Sequence, residues 1–171
     1  KVAELQLLAW PAGHSLSPVM HNAALAALGL PHTYRALAVP PQELAAAVRS
    51  LREPGILGAN VTVPHKEQTV PLLDDVTDAV RHIGAVNTVV NRSGRLYGDN
   101  TDVTGFRALL ATAGFDLPGR SGLRVVVLGA GGAARAALYV LGGSASVVIV
   151  NRTVQRAERL AAEFRDHVTV T

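Results

Sequence analysis

The order of apolar and polar positions along the chain predicts strands that alternate with helices. Apolar runs of strand length occupy residues 2–9, 33–39 and 59–63. Segments rich in Ala and Leu lie between them. The first is expected to form a helix with Ser17 as its N-cap, Pro18 at its first position and a stop at Gly29. Strands that alternate with helices are typical of an α/β fold.

The segment after the third strand combines helical and hairpin signals. Pro64 ends that strand, because proline cannot donate a hydrogen bond to the ladder. Two short helices are predicted over residues 65–73 and 75–82. Two apolar runs follow at 85–91 and 95–97, and the Ser93-Gly94 pair between them predicts a β-hairpin.

A change in composition divides the chain near residue 102. A helix is expected over residues 102–113, and the stretch 116–122, which contains Pro and Gly, is typical of a linker. The apolar strand predicted at 124–128 is of the kind that is buried in parallel sheets. We therefore predict two α/β domains, over residues 1–101 and 102–171.

The segment after this strand has the glycine pattern of a dinucleotide site. Gly129, Gly131 and Ala134 fill the three places of G-x-G-x-x-G/A, and a second strand is predicted at 146–150. In this pattern one glycine makes the tight turn and the next lets the backbone approach a pyrophosphate. The candidate cofactor residues here are Gly129, Ala130, Gly131, Gly132 and Ala133. Residues 102–171 are thus expected to form part of a Rossmann domain with a doubly wound parallel sheet; the alternative is a purely structural turn.

The end of the second strand indicates which dinucleotide would bind. NAD enzymes place Asp or Glu there, to accept a hydrogen bond from the ribose 2′-OH. This chain has Asn151, Arg152 and Thr153, with Arg156 one turn later. Because a guanidinium forms charge-assisted hydrogen bonds with a 2′-phosphate, the pattern favours NADP. The alternative is that both arginines belong to a solvated helix start.

Composition argues against several classes of function. The chain is 49% apolar and 17% charged, as expected of a folded globular protein. Its net charge is only +3 and its arginines are dispersed, so a nucleic-acid surface is not expected. It has no cysteine, its histidines lack a metal-ligand spacing, and no apolar run approaches the length of about 20 residues that spans a membrane. We expect a cytoplasmic protein with neither metal nor membrane segment.

One lysine is a candidate for acid–base chemistry. Only two of the sixteen basic residues are lysines, Lys1 and Lys66. Unlike arginine, a lysine can lose its proton when it is desolvated. Taken alone, Lys66 could equally be a solvated surface residue. The polar residues Asp102, Ser15 and Ser17 in other motifs favour a small polar site instead.

Six motifs together resemble the shikimate dehydrogenase family, in its order and spacing and over the whole chain. They are His14-Ser15-Leu16-Ser17-Pro18, Asn60-Val61-Thr62-Val63-Pro64-His65-Lys66, Gly84-Ala85-Val86-Asn87-Thr88, Gly98-Asp99-Asn100-Thr101-Asp102, Gly129-Ala130-Gly131-Gly132-Ala133 and Asn151-Arg152-Thr153. The resemblance implies NADP-dependent interconversion of shikimate and 3-dehydroshikimate in aromatic amino-acid biosynthesis, by a monomer or a homodimer.

The resemblance also implies roles for single residues. Ser15 and Ser17 would hold the substrate carboxylate. The ring hydroxyls would be held by Thr62, Lys66, Asn87 and Asp102. Lys66 would be the acid–base residue with Asp102 as its partner, and Asp78 would lie at the cofactor.

The chain departs from the family pattern at two places. Ala9 stands where the family usually has glycine, which could shift the loop that carries Ser15. The chain also stops at Thr171, before the further strands and the substrate-binding glutamine of the family. We therefore expect a fragment with an open apolar sheet edge, weak NADP binding and slow or absent turnover.

Two alternative functions stay open at this point. A quinate/shikimate dehydrogenase of the same fold could use NAD, although Arg152 argues against it. The chain could instead be a non-catalytic shikimate-binding protein, although a binding protein has no need of an acid–base lysine.

Overall fold

The computed structural model describes residues 2–115, 117 and 122–165 and the backbone of Thr169–Val170. The chain divides into two compact units, Lys1–Asn100 and Thr101–Thr171. The first contains a six-stranded mixed sheet and the second a three-stranded parallel sheet, so the predicted α/β class is confirmed. The linker predicted at 116–122 lies largely outside the described residues.

The first unit surrounds its sheet with three short helices. Its elements are β1 (Glu4–Ala9), α1 (Ser17–Ala27), β2 (Thr33–Ala38), α2 (Leu44–Ser50), β3 (Ile56–Val61), β4 (Asp75–Val76), α3 (Asp78–Ile83), β5 (Thr88–Arg92) and β6 (Arg95–Asp99), with 3₁₀ turns at Pro41–Glu43 and Val70–Leu72. The strand order is β2-β1-β3-β5-β6-β4. β1 is parallel to β2 and β3, whereas β5 is antiparallel to both β3 and β6. Leu8, Val61 and Leu51 are among the side chains of its main core.

The predicted hairpin forms as expected. β5 and β6 pair from Thr88↔Asp99 to Arg92↔Arg95, and only Ser93 and Gly94 lie between them. Both turn residues have positive φ, 54° and 86°, which is the backbone twist that two-residue hairpin loops favour.

The two helices predicted between residues 65 and 82 are only partly correct. No α-helix forms over 65–73, because Pro71 lacks an N–H and disfavours the helical conformation of the residue before it. Asp75–Val76 is instead β4, which pairs with Tyr97 and Gly98 of β6. The helix begins at Asp78, where the Thr77 hydroxyl accepts from the backbone N–H of Val80.

The second unit has an α-β-α-β-α-β order. Its elements are α4 (Asp102–Thr112), β7 (Leu123–Leu128), α5 (Gly132–Leu141), β8 (Ala145–Val150), α6 (Val154–Phe164) and β9 (Thr169–Val170), with the strands parallel in the order β7-β8-β9. Leu138 of α5 and Leu160 and Phe164 of α6 form the core with Val147.

The prediction that β7 is buried on both faces is wrong for the described residues. Its side chains alternate, and Val126 and Leu128 are 61% and 81% exposed. Val125 and Val127 pack into the core. The reason is that the described helices cover one face of the sheet, and β7 is its outer strand.

A substitution at Gly58 tests how closely β3 and β5 pack against each other. Gly58 has φ +154°, and a Cβ built there would lie 2.1 Å from the carbonyl oxygen of Val89. We expect Gly58→Ala to lower the free energy of unfolding by about 2–4 kcal/mol, because the clash is with backbone. Urea unfolding followed by circular dichroism measures this loss. Gly13→Ala is the control, since a Cβ at Gly13 meets nothing within 4 Å, and an equal loss in both variants would refute the explanation.

Candidate active site

The segments that carry the candidate substrate residues meet at one edge of the first sheet. β1, β3 and β6 point the same way, since β3 and β6 are both antiparallel to β5. The loops that follow β1 and β3 and the segment that precedes β5 therefore leave the sheet on the same side. These segments carry Ser15, Ser17, Thr62, Lys66 and Asn87.

Backbone hydrogen bonds hold two of these segments together. The N–H of Val61 donates to the carbonyl of Asn87 over 2.8 Å. The N–H of Val86 donates to the carbonyl of Lys66 over 2.9 Å. The half-buried Lys66 is thus fixed beside the segment that leads into Asn87, which is also half-buried.

The buried side chain of His65 anchors the loop that carries Lys66. This side chain is fully buried, and Nε2 lies 2.8 Å from the carbonyl oxygen of Val39. Because a carbonyl only accepts, Nε2 carries the hydrogen. The carbonyl of His65 in turn accepts from both the N–H and the hydroxyl of Thr69, at 3.0 and 2.9 Å. The sequence offered no sign of this anchoring role beyond the position of His65 next to Lys66.

The serine motif forms the start of α1, but its capping differs from the prediction. The Leu16 carbonyl accepts from the N–H of Met20, so Leu16 is the N-cap and Ser17 is already helical. The Ser15 hydroxyl accepts from the Ser17 N–H at 3.2 Å. The prediction of Ser17 as N-cap is therefore wrong, because the helical turn begins one residue earlier.

The two acidic candidates lie at helix starts. Asp78 is the first residue of α3, with a largely exposed side chain that pairs with Arg81 at 2.9 Å. Asp102 is the first residue of α4 in the second unit and is half-buried. Its pairing with Lys66 stays a prediction.

The glycine turn of the second unit has the form that a pyrophosphate site requires. Gly129 has φ +113° and donates to the carbonyl of Val150 over 2.7 Å. Gly131 is the N-cap of α5, and a Cβ there would meet no atom within 4 Å. Packing therefore does not demand a glycine at 131, whereas close approach of a phosphate would. Gly132 and Ala133 begin the helix, and their N–H groups belong to its positive end.

The residues predicted to select NADP lie next to this turn. β7 and β8 end side by side, with Leu128 paired to Val150, and Asn151, Arg152 and Thr153 follow directly. The Asn151 amide donates to the Thr153 carbonyl at 2.8 Å and so closes a tight turn before α6. Arg152 and Arg156 are exposed, and within residues 122–165 neither forms an ion pair.

Comparison with known proteins agrees with this two-part arrangement. Residues 7–89 match the family model described as the shikimate dehydrogenase substrate binding domain. Residues 110–171 match the model described as shikimate / quinate 5-dehydrogenase. The molecule combines an α/β unit of the first kind with a Rossmann-type unit of the second. The chain belongs to the shikimate dehydrogenase family.

Individual relatives support the same assignment. Shikimate dehydrogenase (NADP(+)) of Symbiobacterium thermophilum is 52% identical over 162 residues, which are 94% of this chain and 54% of that protein. A crystal structure of shikimate 5-dehydrogenase from Thermus thermophilus, in complex with NADP(H) and shikimate, superposes with a TM-score of 0.83 at 41% identity, over 99% of this chain and 62% of that one. Quinate dehydrogenase from Corynebacterium glutamicum in complex with NAD gives 0.83 at 31% identity, over 100% and 64%. The chain thus spans about half the length of the curated relatives it matches.

The helices in the described part of the chain do not have the character of membrane spans. None of these helices is both long and apolar enough to cross a bilayer.

The anchor at His65 yields a stability prediction. His65→Leu removes the donor to the buried Val39 carbonyl, so we expect the free energy of unfolding to fall by about 1–3 kcal/mol. In His65→Gln the amide can still donate there, and most of the stability should return. Urea denaturation of both variants tests the hydrogen bond. Equal losses in both would show that ring packing, and not the donor, anchors the loop.

Proposed function

We propose that the protein containing this chain interconverts shikimate and 3-dehydroshikimate with NADP(H). The observation that carries the proposal is the hydrogen bond from Val86 N–H to the Lys66 carbonyl, at 2.9 Å. It holds the chain's candidate acid–base group at the sheet edge where the hydroxyl-binding candidates Thr62 and Asn87 also emerge. The names of the relatives and the complexes of related structures point to the same reaction.

The first unit supplies groups for each part of such a substrate. Ser15 and Ser17 flank the start of the eleven-residue helix α1, whose positive end favours a carboxylate. Thr62 and Asn87 offer a hydroxyl and an amide for the ring hydroxyls. Such a set of polar groups at one edge fixes the orientation of the ring as well as its affinity.

Lys66 is assigned the proton transfer. Oxidation of a secondary alcohol needs a group that removes the hydroxyl proton, and the neutral amine of Lys66 would accept it. In the reverse direction the ammonium donates the proton and stabilises the developing alkoxide. Asp102 is assigned as the partner that orients the lysine. The bound nicotinamide supplies the hydride acceptor or donor.

The second unit is assigned to the cofactor. The turn at Gly129–Ala133 and the first N–H groups of α5 would hold the pyrophosphate. The 2′-phosphate would lie against Asn151, Arg152, Thr153 and Arg156. Asp78 of the first unit is assigned to the cofactor by family resemblance.

Lys66 variants distinguish proton transfer from simple charge. We expect Lys66→Ala to lower kcat for NADP reduction by shikimate by a factor of about 10² to 10⁴. Lys66→Arg keeps the positive charge but cannot give up a proton, so it should be impaired to a similar degree. Nicotinamide absorbance measures both rates. Substantial activity in Lys66→Arg would mean that the site needs a cation there and not an acid–base group.

Arg152 tests the choice of cofactor. Arg152→Gln should weaken NADP binding by a factor of about 10 to 10², through loss of a charge-assisted hydrogen bond, and leave NAD binding nearly unchanged. Arg159→Gln is the control, since Arg159 is an exposed arginine in α6, the helix that follows, and its Nε donates to the Gln155 carbonyl. Titration with both dinucleotides measures the effect. Preference of the parent for NAD would instead favour the quinate dehydrogenase type of activity.

A further inference from the structure

Asn87 lies at the end of a chain of hydrogen bonds that begins in β2. The Tyr34 hydroxyl donates to Asn60 Oδ1 over 2.7 Å. Asn60 Nδ2 lies 3.4 Å from the Asn87 carbonyl oxygen and 3.5 Å from Thr88 Oγ1. The Thr88 hydroxyl lies 2.9 Å from Asn87 Oδ1. The hydrogen bonds therefore connect four side chains. Tyr34 lies in β2, Asn60 in β3 and Thr88 at the start of β5, and Asn87 directly precedes β5.

The carbonyl of Asn87 sets the direction of this chain. A backbone carbonyl can only accept, so the end of the Asn60 amide that faces it must be the NH₂ group. Asn60 Oδ1 must then face Tyr34, whose hydroxyl donates to it. The orientation of the Asn60 amide and the direction of the Tyr34 hydroxyl proton are therefore both determined.

The chain of hydrogen bonds continues through Thr88. The Thr88 oxygen lies 3.5 Å from Asn60 Nδ2 and accepts from it, and the Thr88 hydroxyl donates its own proton to Asn87 Oδ1 over 2.9 Å. The Asn87 amide is thereby turned with Oδ1 toward Thr88 and with its NH₂ group on the other side. Hydrogen bonds in such a chain polarise and strengthen one another.

Tyr34 is a rigid starting point. Its N–H and C=O both bond the Asn22 side chain, at 2.8 and 2.9 Å, and its ring stacks on His21 with 4.2 Å between centroids. The residue is only 5% exposed. Burial raises the pKa of Tyr34 to about 12, so the phenol keeps its proton and remains a donor at any physiological pH.

We propose that Tyr34, Asn60 and Thr88 are positioning residues that present the Asn87 amide to the substrate as a hydrogen-bond donor. The inference deepens the proposed function and rests on it. The Asn87 amide then favours a substrate whose group at this ring position has an oxygen lone pair, such as a ring hydroxyl. It discriminates against a methylene or an ammonium group at the same ring position, which cannot accept.

Binding of shikimate to five variants, measured by calorimetry, tests the proposal. Thr88→Val removes the hydroxyl at constant volume and should weaken binding about tenfold, whereas Thr88→Ser should restore it. In an Asn87→Ala background Thr88→Val should have less than a twofold further effect, because no amide is left to orient. Tyr34→Phe should weaken binding in the same direction but less, since it acts through two intermediate groups.

Substrate analogues give a readout that general destabilisation does not move. Three analogues of shikimate each lack one ring hydroxyl. The analogue that lacks the hydroxyl contacted by Asn87 should bind to the parent and to Thr88→Val with equal affinity. The other two analogues should still bind Thr88→Val about tenfold more weakly. Thr112→Val and Tyr97→Phe remove hydroxyls elsewhere and should leave shikimate affinity unchanged.

The possible results distinguish failure of the positioning chain from failure of the proposed function. If the parent binds shikimate but Thr88→Val binds equally well, or loses as much in the Asn87→Ala background, the positioning chain is refuted while the proposed function stands. If the parent does not bind shikimate at all, the proposed function fails and the positioning proposal fails with it.

Discussion

The antiparallel pairing of β3 with β5 controls the geometry of the first unit. Gly58 lets β5 approach so closely that the Val89 carbonyl occupies the place of a side chain. The same register pairs Asn60 with Thr88 and lets the N–H of Val61 donate to the Asn87 carbonyl. Since side chains alternate along strands, a slip of one residue would turn Asn60 and Thr88 to opposite faces and separate the loops beyond them.

Polar side chains hold the irregular backbone around this sheet. Asn100 donates to the Ala85 carbonyl at 2.8 Å, and Asn91 donates to the Leu51 carbonyl at 2.7 Å. Loops that leave a sheet lose the ladder partners of their backbone groups, and a buried group without a partner is costly. Side-chain amides replace those partners across long sequence separations. The loops around the candidate site are thereby fixed without regular secondary structure.

The second unit follows a simpler principle. Its parallel strands end together, so the glycine turn after β7 and the arginine-bearing turn after β8 are adjacent through the bond from Gly129 to Val150. Arg135 of α5 pairs with Glu163 of α6 and lies 5.8 Å from the centre of the Phe164 ring, which links the two helices over the core. The backbone proposed to bind the pyrophosphate and the residues proposed to bind the 2′-phosphate are thus brought together by strand order alone.

The sequence by itself determined the features that depend on near neighbours. The hairpin at Ser93-Gly94 and the glycine turn at 129–131 follow from local backbone preferences, and the six motifs supply the chemical types of the candidate site. Tertiary structure decided the features that depend on distant partners. Residues 65–73 form turns around the His65–Val39 contact, and Tyr34 reaches Asn60 across 26 positions. No local pattern encodes such contacts, because a hydrogen bond to a remote group gains its free energy only once the fold has brought the two together.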